Sequence, residues 1–367
     1  MNFYTFKEDQ LSEFVKNTFI HHGLRDDHAE TAAKVLAYAD LNGFSTHGIA
    51  NLEKIYLTKI QNGDMNPKAE VQHVINHQAI SVLDAQHGIG LVVGDTAMKI
   101  AIEKAKMFGV GIVTVRNSSH FGSAGYYSHK ALQENMLGFS MTNLGSQGVA
   151  PPMGGTINML GTNPISVSAP SQELPPFLLD MSTTVAATGK IKEAARQGRS
   201  IPEGWLINKE GQTTTNPHDY LNGQGFIQFL GGRPEMGGNK GYGLSILVDI
   251  LCGLLSGADI GPDSGVLSEK GAEENDYNVG HFFMAINIDA FVPISQFKHR
   301  MEQMLSTLMA CPTTQTADQV IYPGYLEGVR KKENITVDEV IFSSLTNLSK
   351  QAGISIPEYA QASKVYS

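Results

Sequence analysis

Cysteine is scarce in this chain, which has only Cys252 and Cys311 in 367 residues. Two cysteines so far apart provide no disulfide framework and no paired motif for a metal. Basic residues are also in deficit, because 27 Lys and Arg against 36 Asp and Glu give a formal net charge of −9. That charge opposes binding to nucleic-acid phosphates. We therefore expect a reducing, cytoplasmic compartment and no nucleic-acid partner.

Long hydrophobic runs are missing as well. The longest run, residues 244–255, is interrupted by Asp249 and is shorter than the roughly 20 apolar residues that cross a bilayer. It predicts a buried helix. The first residues lack the basic and then apolar order of a signal peptide. With 41% hydrophobic and 17% charged residues, the composition is that of a globular protein, and we expect no membrane partner.

The order of patterns along the chain indicates a mixed α/β protein. Leu11, Phe14, Val15 and Phe19 recur at helical spacing in the first sixty residues. From residue 79, short β-branched runs alternate with a helical segment and with loops rich in Gly, Pro, Asn and Ser. The turn-rich residues 202–232 predict an excursion from the core.

One glycine cluster invites comparison with a dinucleotide-binding fingerprint. Gly88, Gly90 and Gly94 follow a predicted strand and open a predicted helix. Their spacing is GxGxxxG rather than GxGxxG, and the next strand ends in Arg116 where an acidic residue would hold a ribose. A tight turn that uses glycine for its positive φ is the favoured interpretation.

Histidine, with twelve residues, offers the clearest candidates for chemistry. His73 and His77 have HxxxH spacing, but their β-branched surroundings lack the glutamate of a zinc-protease helix, so we predict no metal site there. His47, in STHG, and His120, in NSSHFG, lie in loops of small residues. Such loops suit a general acid or base, although a structural role fits each of the two equally well.

Two further loops carry groups suited to an anionic ligand. Gly161, Thr162 and Asn163 lie in MGGTINMLGTNP, and Lys240 lies in GGNKGYG; glycine permits close backbone approach and lysine adds a point charge. In LDMSTTVAATGK, Asp180 ends a predicted strand. Its carboxylate can orient a histidine by accepting a ring N–H, or it can cap a helix, and the spacing does not decide between these two roles.

Taken in order, STHG, NSSHFG, GTNP, LDMSTTVAATGK, SIPEGWLINKEG, GNKGYGLSILVDILCGLLSGA and HFFMAINIDAF resemble the type-2 malate/L-lactate dehydrogenase family. Ureidoglycolate dehydrogenase, diketogulonate reductase and sulfolactate dehydrogenase belong to the same family. The resemblance extends over nearly the whole chain.

The resemblance implies an NAD(P)-dependent oxidoreductase acting on a small 2-hydroxy or 2-oxo acid, with NAD slightly favoured. It also implies a mixed α/β, non-Rossmann fold with a central, mixed and largely antiparallel sheet. Residues 77–292 would form the cofactor-binding sheet domain, and residues 1–76 with 293–367 a helical domain built from both chain ends. Members of the family are homodimers.

The resemblance also assigns site residues. His120 is implied as the acid/base and His47 as the group that polarises the substrate, although the two roles could be exchanged. Asp180 would orient one imidazole. Lys190 and Lys240 are implied as phosphate partners. The full set of implied cofactor contacts is Thr162, Asn163, Asp180, Met181, Ser182, Thr183, Lys190, Lys240 and Gly241.

Three departures from the family pattern bear on the substrate. Asn51 stands where members place an arginine that grips the substrate carboxylate, and Thr46 replaces a serine. The late loop reads Pro323, Gly324, Tyr325 in place of Pro-Gly-Glu. A neutral amide cannot replace a bidentate guanidinium, so another cation, such as Arg116 or Arg196, would take the carboxylate, or the substrate differs.

The resemblance therefore favours a malate or lactate dehydrogenase, with ureidoglycolate dehydrogenase as the alternative. A protein that binds NAD(P) without turnover is the alternative from another class. A metal hydrolase is disfavoured, because the sequence offers no ligand cluster with suitable spacing.

Overall fold

The structure is a computed structural model that describes residues 2–267, 278–330 and 333–363. Parts of both predicted domains, residues 1, 268–277, 331–332 and 364–367, lie outside the described residues. The α-helices in chain order are α1 Glu8–His21, α2 Asp26–Leu41, α3 Thr58–Asn62, α4 Gly90–Phe108, α5 Ala124–Leu132, α6 Thr188–Arg196, α7 Pro217–Leu221, α8 Gly238–Asp249, α9 Ile294–Met309, α10 Tyr325–Val329 and α11 Glu339–Ala352. The strands are β1 Asn2–Lys7, β2 Gln72–His77, β3 Ile80–Asp84, β4 Val110–Ser118, β5 Met136–Thr142, β6 Ile165–Ala169, β7 Phe177–Met181, β8 Leu206–Ile207, β9 Thr213–Thr214, β10 Phe226–Ile227, β11 Val279–Asn287, β12 Asn334–Asp338 and β13 Tyr359–Ser363.

A seven-stranded sheet organises the molecule, with strand order β2-β3-β4-β11-β5-β6-β7. Only β3 and β4 pair in parallel, through the crossover helix α4, and the other neighbours are antiparallel. This arrangement is not the all-parallel sheet of a dinucleotide-binding Rossmann fold. The predicted mixed, largely antiparallel and non-Rossmann fold is confirmed.

Helices cover both faces of this sheet. Along β11, Phe283 joins the main hydrophobic core with Val113 and Val115, which α4 covers, while Phe282 packs with Val248 of α8 on the other face. Side chains on a strand alternate between faces, so neighbouring phenylalanines enter separate cores. The loops at the strand ends are therefore held between two packed layers.

Both chain ends meet in a smaller sheet. β1 lies between β12 and β13, antiparallel to each, and Phe6 of β1 is fully buried. The sequence predicted a purely helical unit here and missed these three strands, because their pairing joins segments more than 300 residues apart. The proposed domain boundaries near residues 76 and 293 stay a prediction.

The glycine cluster before α4 serves close packing rather than a turn. A Cβ on Gly90 would lie 2.1 Å from the Ser119 carbonyl oxygen, and one on Gly94 would lie 2.7 Å from the ring of Tyr127. The positive φ values fall instead at Gln86 and His87. The expectation that these glycines supply positive φ was wrong, because Gly90 is required by the close approach of α4 to the His120 loop and Gly94 by its close approach to α5.

The apolar run at residues 244–255 forms a helix, but the expectation that it is buried was wrong in part. It comprises the end of α8 and a π-helix, Ile250–Leu254. Cys252 and Val248 are buried, whereas one face is exposed and consists of Ile246, Leu247, Ile250, Leu254 and Leu255. Within the described residues, no helix combines the length and apolar character that a membrane crossing needs.

The predicted excursion at residues 202–232 is a small unit outside the main sheet. It contains the three-stranded sheet β10-β8-β9 and the short helix α7. Its own core includes Leu206, Ile227 and Phe229, with Ile191 of α6. The unit is therefore packed against the helix that carries Lys190.

Candidate active site

The structure brings His47 and His120 together from loops 73 positions apart in sequence. Their rings lie nearly parallel, with centroids 5.9 Å apart and planes 11° apart. His47 ends a short 3-10 turn that follows α2, and His120 lies in the loop between β4 and α5. The two loop histidines picked from the sequence thus form one site.

His120 is held by a tyrosine that the sequence analysis missed. The hydroxyl of Tyr56 lies 2.7 Å from Nδ1 of His120, and the backbone N–H of Gly122 donates to the same nitrogen at 3.2 Å. A ring nitrogen that accepts a backbone N–H carries no proton itself. In the neutral ring the proton is therefore on Nε2, and the Tyr56 hydroxyl donates to Nδ1.

Tyr56 reaches this position from an irregular helical turn. Residues Leu52–Leu57 form a π-helix that leads into α3, and such turns occur often at functional sites. Tyr56 is fully buried, packs edge-on against Phe19, and burial raises the pKa of its hydroxyl. The hydroxyl therefore stays protonated and available as a donor.

The surroundings of His120 disfavour its charged form. Burial lowers the pKa of His120 to about 3, and the positive charge of Lys59 acts in the same direction, as would a proton on His47 or His281. Burial also lowers the pKa of His47. Both rings are therefore neutral at physiological pH in the ligand-free site.

His47 lies in a loop closed by its neighbours. The Thr46 hydroxyl is 3.0 Å from Nδ1 of His47, and the Asn51 side-chain amide donates to the Thr46 carbonyl oxygen at 2.8 Å. A Cβ on Gly189 would lie 3.1 Å from the Thr46 side chain. The start of α6 thus approaches this loop, which places Lys190 in the same region of the molecule.

The two cations that the sequence offered in place of an arginine at Asn51 lie in other settings. Arg116 pairs with Asp84 at 3.1 Å, and Arg196 lies exposed at the end of α6. Lys59 of α3, which the sequence analysis missed, contributes positive charge to His120, and burial lowers its own pKa. The positive charge of Lys59 thus acts on His120, while the charge of Asp64 acts on Lys59.

Asp180 does not take the orienting role that the resemblance implied. Its Oδ2 accepts the Ser123 hydroxyl at 2.8 Å and the Gly125 N–H at 2.7 Å. In residues 2–267, 278–330 and 333–363, no hydrogen bond joins it to His47 or His120. Asp180 instead caps the N-terminus of α5, and burial raises the pKa of its carboxyl to about 6. Tyr56, not Asp180, orients His120.

The predicted cofactor loops are joined through their backbones. The N–H and hydroxyl of Thr183 both donate to the Thr162 carbonyl oxygen, at 2.9 and 3.1 Å. The Ser182 hydroxyl donates to the Thr184 carbonyl oxygen at 2.9 Å, and Met181 ends β7, half-buried. These contacts hold the end of β7 against the GTNP loop.

Asn163 is directed into the protein. It is fully buried at a φ of 40°, and its amide donates to the Ser245 carbonyl oxygen at 2.9 Å and to Asp249 at 2.8 Å. Asp249 also accepts from Asn143 at 3.0 Å. The side chain of Asn163 therefore links its loop to α8, and a contact with a cofactor stays a prediction.

Lys190 and Lys240 are exposed in the first turns of α6 and α8. Gly241, the residue after Lys240, packs against the backbone of Leu230. A Cβ on Gly241 would lie 2.4 Å from the backbone nitrogen of Leu230. Lysine charges beside the N–H groups of helix N-termini suit phosphate oxygens. The donor set is thus chemically suited to a dinucleotide, and these lysines with the α6 and α8 termini would hold its phosphates.

The fold and the paired histidines define an oxidoreductase class distinct from Rossmann dehydrogenases, and the comparisons agree. Residues 6–346 match the family model described as malate/L-lactate dehydrogenase, so the chain belongs to that family. Its relatives are 2-hydroxyacid dehydrogenases, and the predicted family and enzyme class are confirmed.

Named relatives cover almost the entire chain. Malate dehydrogenase from Pyrococcus horikoshii is 38% identical over 358 residues, which is 96% of this chain and 97% of that protein. L-sulfolactate dehydrogenase from Methanocaldococcus jannaschii is 34% identical over 342 residues, which is 92% of this chain and 94% of that protein. The crystal structure of malate dehydrogenase from Entamoeba histolytica superposes with a TM-score of 0.89 and 32% identity, and the match covers 96% of this chain and 99% of that chain.

Proposed function

We propose that the protein interconverts a small 2-hydroxy acid and its 2-oxo acid with NAD(P), the substrate pair being malate/oxaloacetate or lactate/pyruvate. The observation that carries the proposal is the parallel pair of His47 and His120. Interconversion of a hydroxyl and a carbonyl needs one group that polarises the oxygen and one that carries the proton. Two neighbouring imidazoles with different hydrogen-bond environments meet both needs.

The hydrogen bonds favour one division of roles. When bound, the nicotinamide exchanges a hydride with the substrate. His120, kept neutral with its proton on Nε2, acts as a hydrogen-bond donor to the substrate oxygen. His47 carries the proton, because the Thr46 hydroxyl beside its Nδ1 can donate to the neutral ring or accept from the charged one. This division reverses the one that the family resemblance favoured.

The charge that attracts the substrate carboxylate is assigned to Lys59. Its positive charge acts on His120, whereas Asn51 is neutral and already donates to Thr46. A point charge in place of a bidentate guanidinium supports looser recognition of the acid group, and so a broader range of 2-oxo acids.

The cofactor is proposed to be NAD or NADP, with NAD favoured, bound between the GTNP loop, the end of β7 and the first turns of α6 and α8. Lys190 and Lys240 would hold its phosphates. We also propose a homodimer. The exposed apolar face of residues 246–255 supports this, because monomers rarely expose a contiguous apolar helix face. The free cysteines suit a cytoplasmic location.

The test is to mix the purified protein with NADH or NADPH and oxaloacetate, pyruvate or oxalurate, and to follow the loss of nicotinamide absorbance. Turnover of oxaloacetate or pyruvate is expected and identifies the cofactor. Turnover of oxalurate alone would instead establish the ureidoglycolate alternative. Cofactor binding without turnover of any 2-oxo acid would favour the non-catalytic alternative.

A further inference from the structure

Asp40 lies in the last turn of α2, directly beneath the loop that carries His47. Its Oδ2 accepts the backbone N–H of Ile49 at 2.8 Å. Ile49 follows His47 by two positions and begins the next short 3-10 turn. The carboxyl group is thus bonded to the backbone immediately beyond His47.

Gly48 fits over the same carboxyl group. A Cβ at this position would lie 2.2 Å from Oδ2 and 2.5 Å from Oδ1 of Asp40. The φ of Gly48 is −92°, which any residue can adopt. The contact with Asp40 therefore leaves no room for a side chain at this position.

The two sides of the His47 turn are held differently. On the N-terminal side, the His47 N–H donates to the Phe44 carbonyl oxygen at 2.8 Å. On the C-terminal side, the Gly48 N–H donates to the Ser45 carbonyl oxygen at 3.3 Å, a longer bond. The Asn51 N–H also donates to the Gly48 carbonyl oxygen, at 3.0 Å, so the bond from Ile49 to Asp40 is the shortest of these three on the C-terminal side and the one that ties it to α2.

We propose that Asp40 is a positioning residue for His47, acting through the Gly48–Ile49 peptide. This inference rests on the proposed function, in which His47 carries the proton. A proton carrier displaced by about 1 Å loses much of its rate, up to about 100-fold. Holding the peptide beyond His47 fixes the direction in which the imidazole leaves the backbone.

The bond from Ile49 does not need a charged carboxylate. Burial raises the pKa of Asp40 to about 7, so the neutral acid is well populated at physiological pH. Either form keeps an oxygen that accepts the Ile49 N–H, and so does the amide of an asparagine. The positional role therefore predicts that Asp40→Asn behaves like the native protein and that Asp40→Ala does not.

The experiment measures kcat, KM for the 2-oxo acid, KM for NAD(P)H and the melting temperature of four variants. Asp40→Ala and Gly48→Ala are expected to lower kcat by about 10- to 100-fold while KM for NAD(P)H stays within about two-fold. Asp40→Asn should retain kcat within about three-fold, with an unshifted pH profile. Asp27→Ala, which removes an exposed carboxylate from the first turn of the same helix, should match the native enzyme.

Native turnover is measured first, because its absence refutes the proposed function rather than the role of Asp40. In a working enzyme, native kcat in Asp40→Ala and Gly48→Ala overturns the proposal. An Asp40→Asn variant as slow as Asp40→Ala, with a shifted pH profile, also overturns it and assigns Asp40 an electrostatic role. If Asp40→Ala fails to fold, Gly48→Ala and Asp40→Asn still decide the question.

Discussion

Replacing Tyr56 with phenylalanine removes a single hydroxyl from the candidate site and keeps the ring that packs against Phe19. The lost hydroxyl donates to Nδ1 of His120 at 2.7 Å, which leaves the Gly122 N–H at 3.2 Å as the remaining donor. His120 would then adopt other orientations and the other tautomer more often. We expect slower catalysis with little change in the fold.

The size of the effect follows from that one hydrogen bond. A buried hydrogen bond between neutral groups contributes about 1 kcal/mol, and about 1.4 kcal/mol corresponds to a ten-fold change in rate. We expect kcat/KM for the 2-oxo acid to fall about 5- to 20-fold, and the free energy of unfolding to fall by about 1 kcal/mol. Because a donor to Nδ1 disfavours the charged ring, the pKa of His120 should rise from about 3 by less than one unit, so the pH profile above pH 5 should keep its shape.

The assay is steady-state loss of nicotinamide absorbance from pH 5 to pH 9, with thermal unfolding alongside. Tyr322→Phe is the matched control, since it removes a hydroxyl that donates to the Pro175 carbonyl oxygen at 2.6 Å. The control should lose similar stability and no activity. Native kcat/KM in Tyr56→Phe would refute the claim that Tyr56 orients His120.

Two further predictions concern the cofactor and the core. Lys240→Ala should raise KM for NAD(P)H about ten-fold without changing kcat, whereas an equal effect of the exposed Lys209→Ala would show that general charge, not phosphate contact, is responsible. Burial lowers the pKa of His281 to about 3, so the folded state resists its protonation and stability is lost as pH falls below about 6.5. Denaturant titrations should show that this group costs about 2 kcal/mol of unfolding free energy between pH 7 and pH 5. His281→Gln should reduce that loss, and the same pH dependence in the variant and the native protein would contradict the prediction.

The sequence predicted the parts of the site that depend on local pattern. His47 and His120 could be chosen because each lies among small residues where one regular element ends and another begins. The strand, helix and strand of β3, α4 and β4 followed from their periodicity and turn residues. The mixed sheet and the dehydrogenase class were implied by the family resemblance, which rests on motifs spread over the chain.

The remaining features depend on contacts between distant residues. Tyr56 reaches His120 from 64 positions away, and a π-helical turn has no simple periodic signature. Asp180 caps α5 and does not orient a histidine, because β7 lies at the edge of the sheet beside that helix. No sequence pattern distinguishes Asp40 from the other polar residues of α2, because its role depends on the contact between α2 and the His47 loop.

In the proposed reaction His47 and His120 together perform the acid/base step, and their asparagine variants test this pairing most directly. With NAD(P)H and the best 2-oxo acid, His47→Asn and His120→Asn should each lower kcat by about 100-fold or more, while NAD(P)H still binds. His77→Asn, on the exposed edge strand, should keep full activity. Native turnover in both site variants would contradict an acid/base role for His47 and His120.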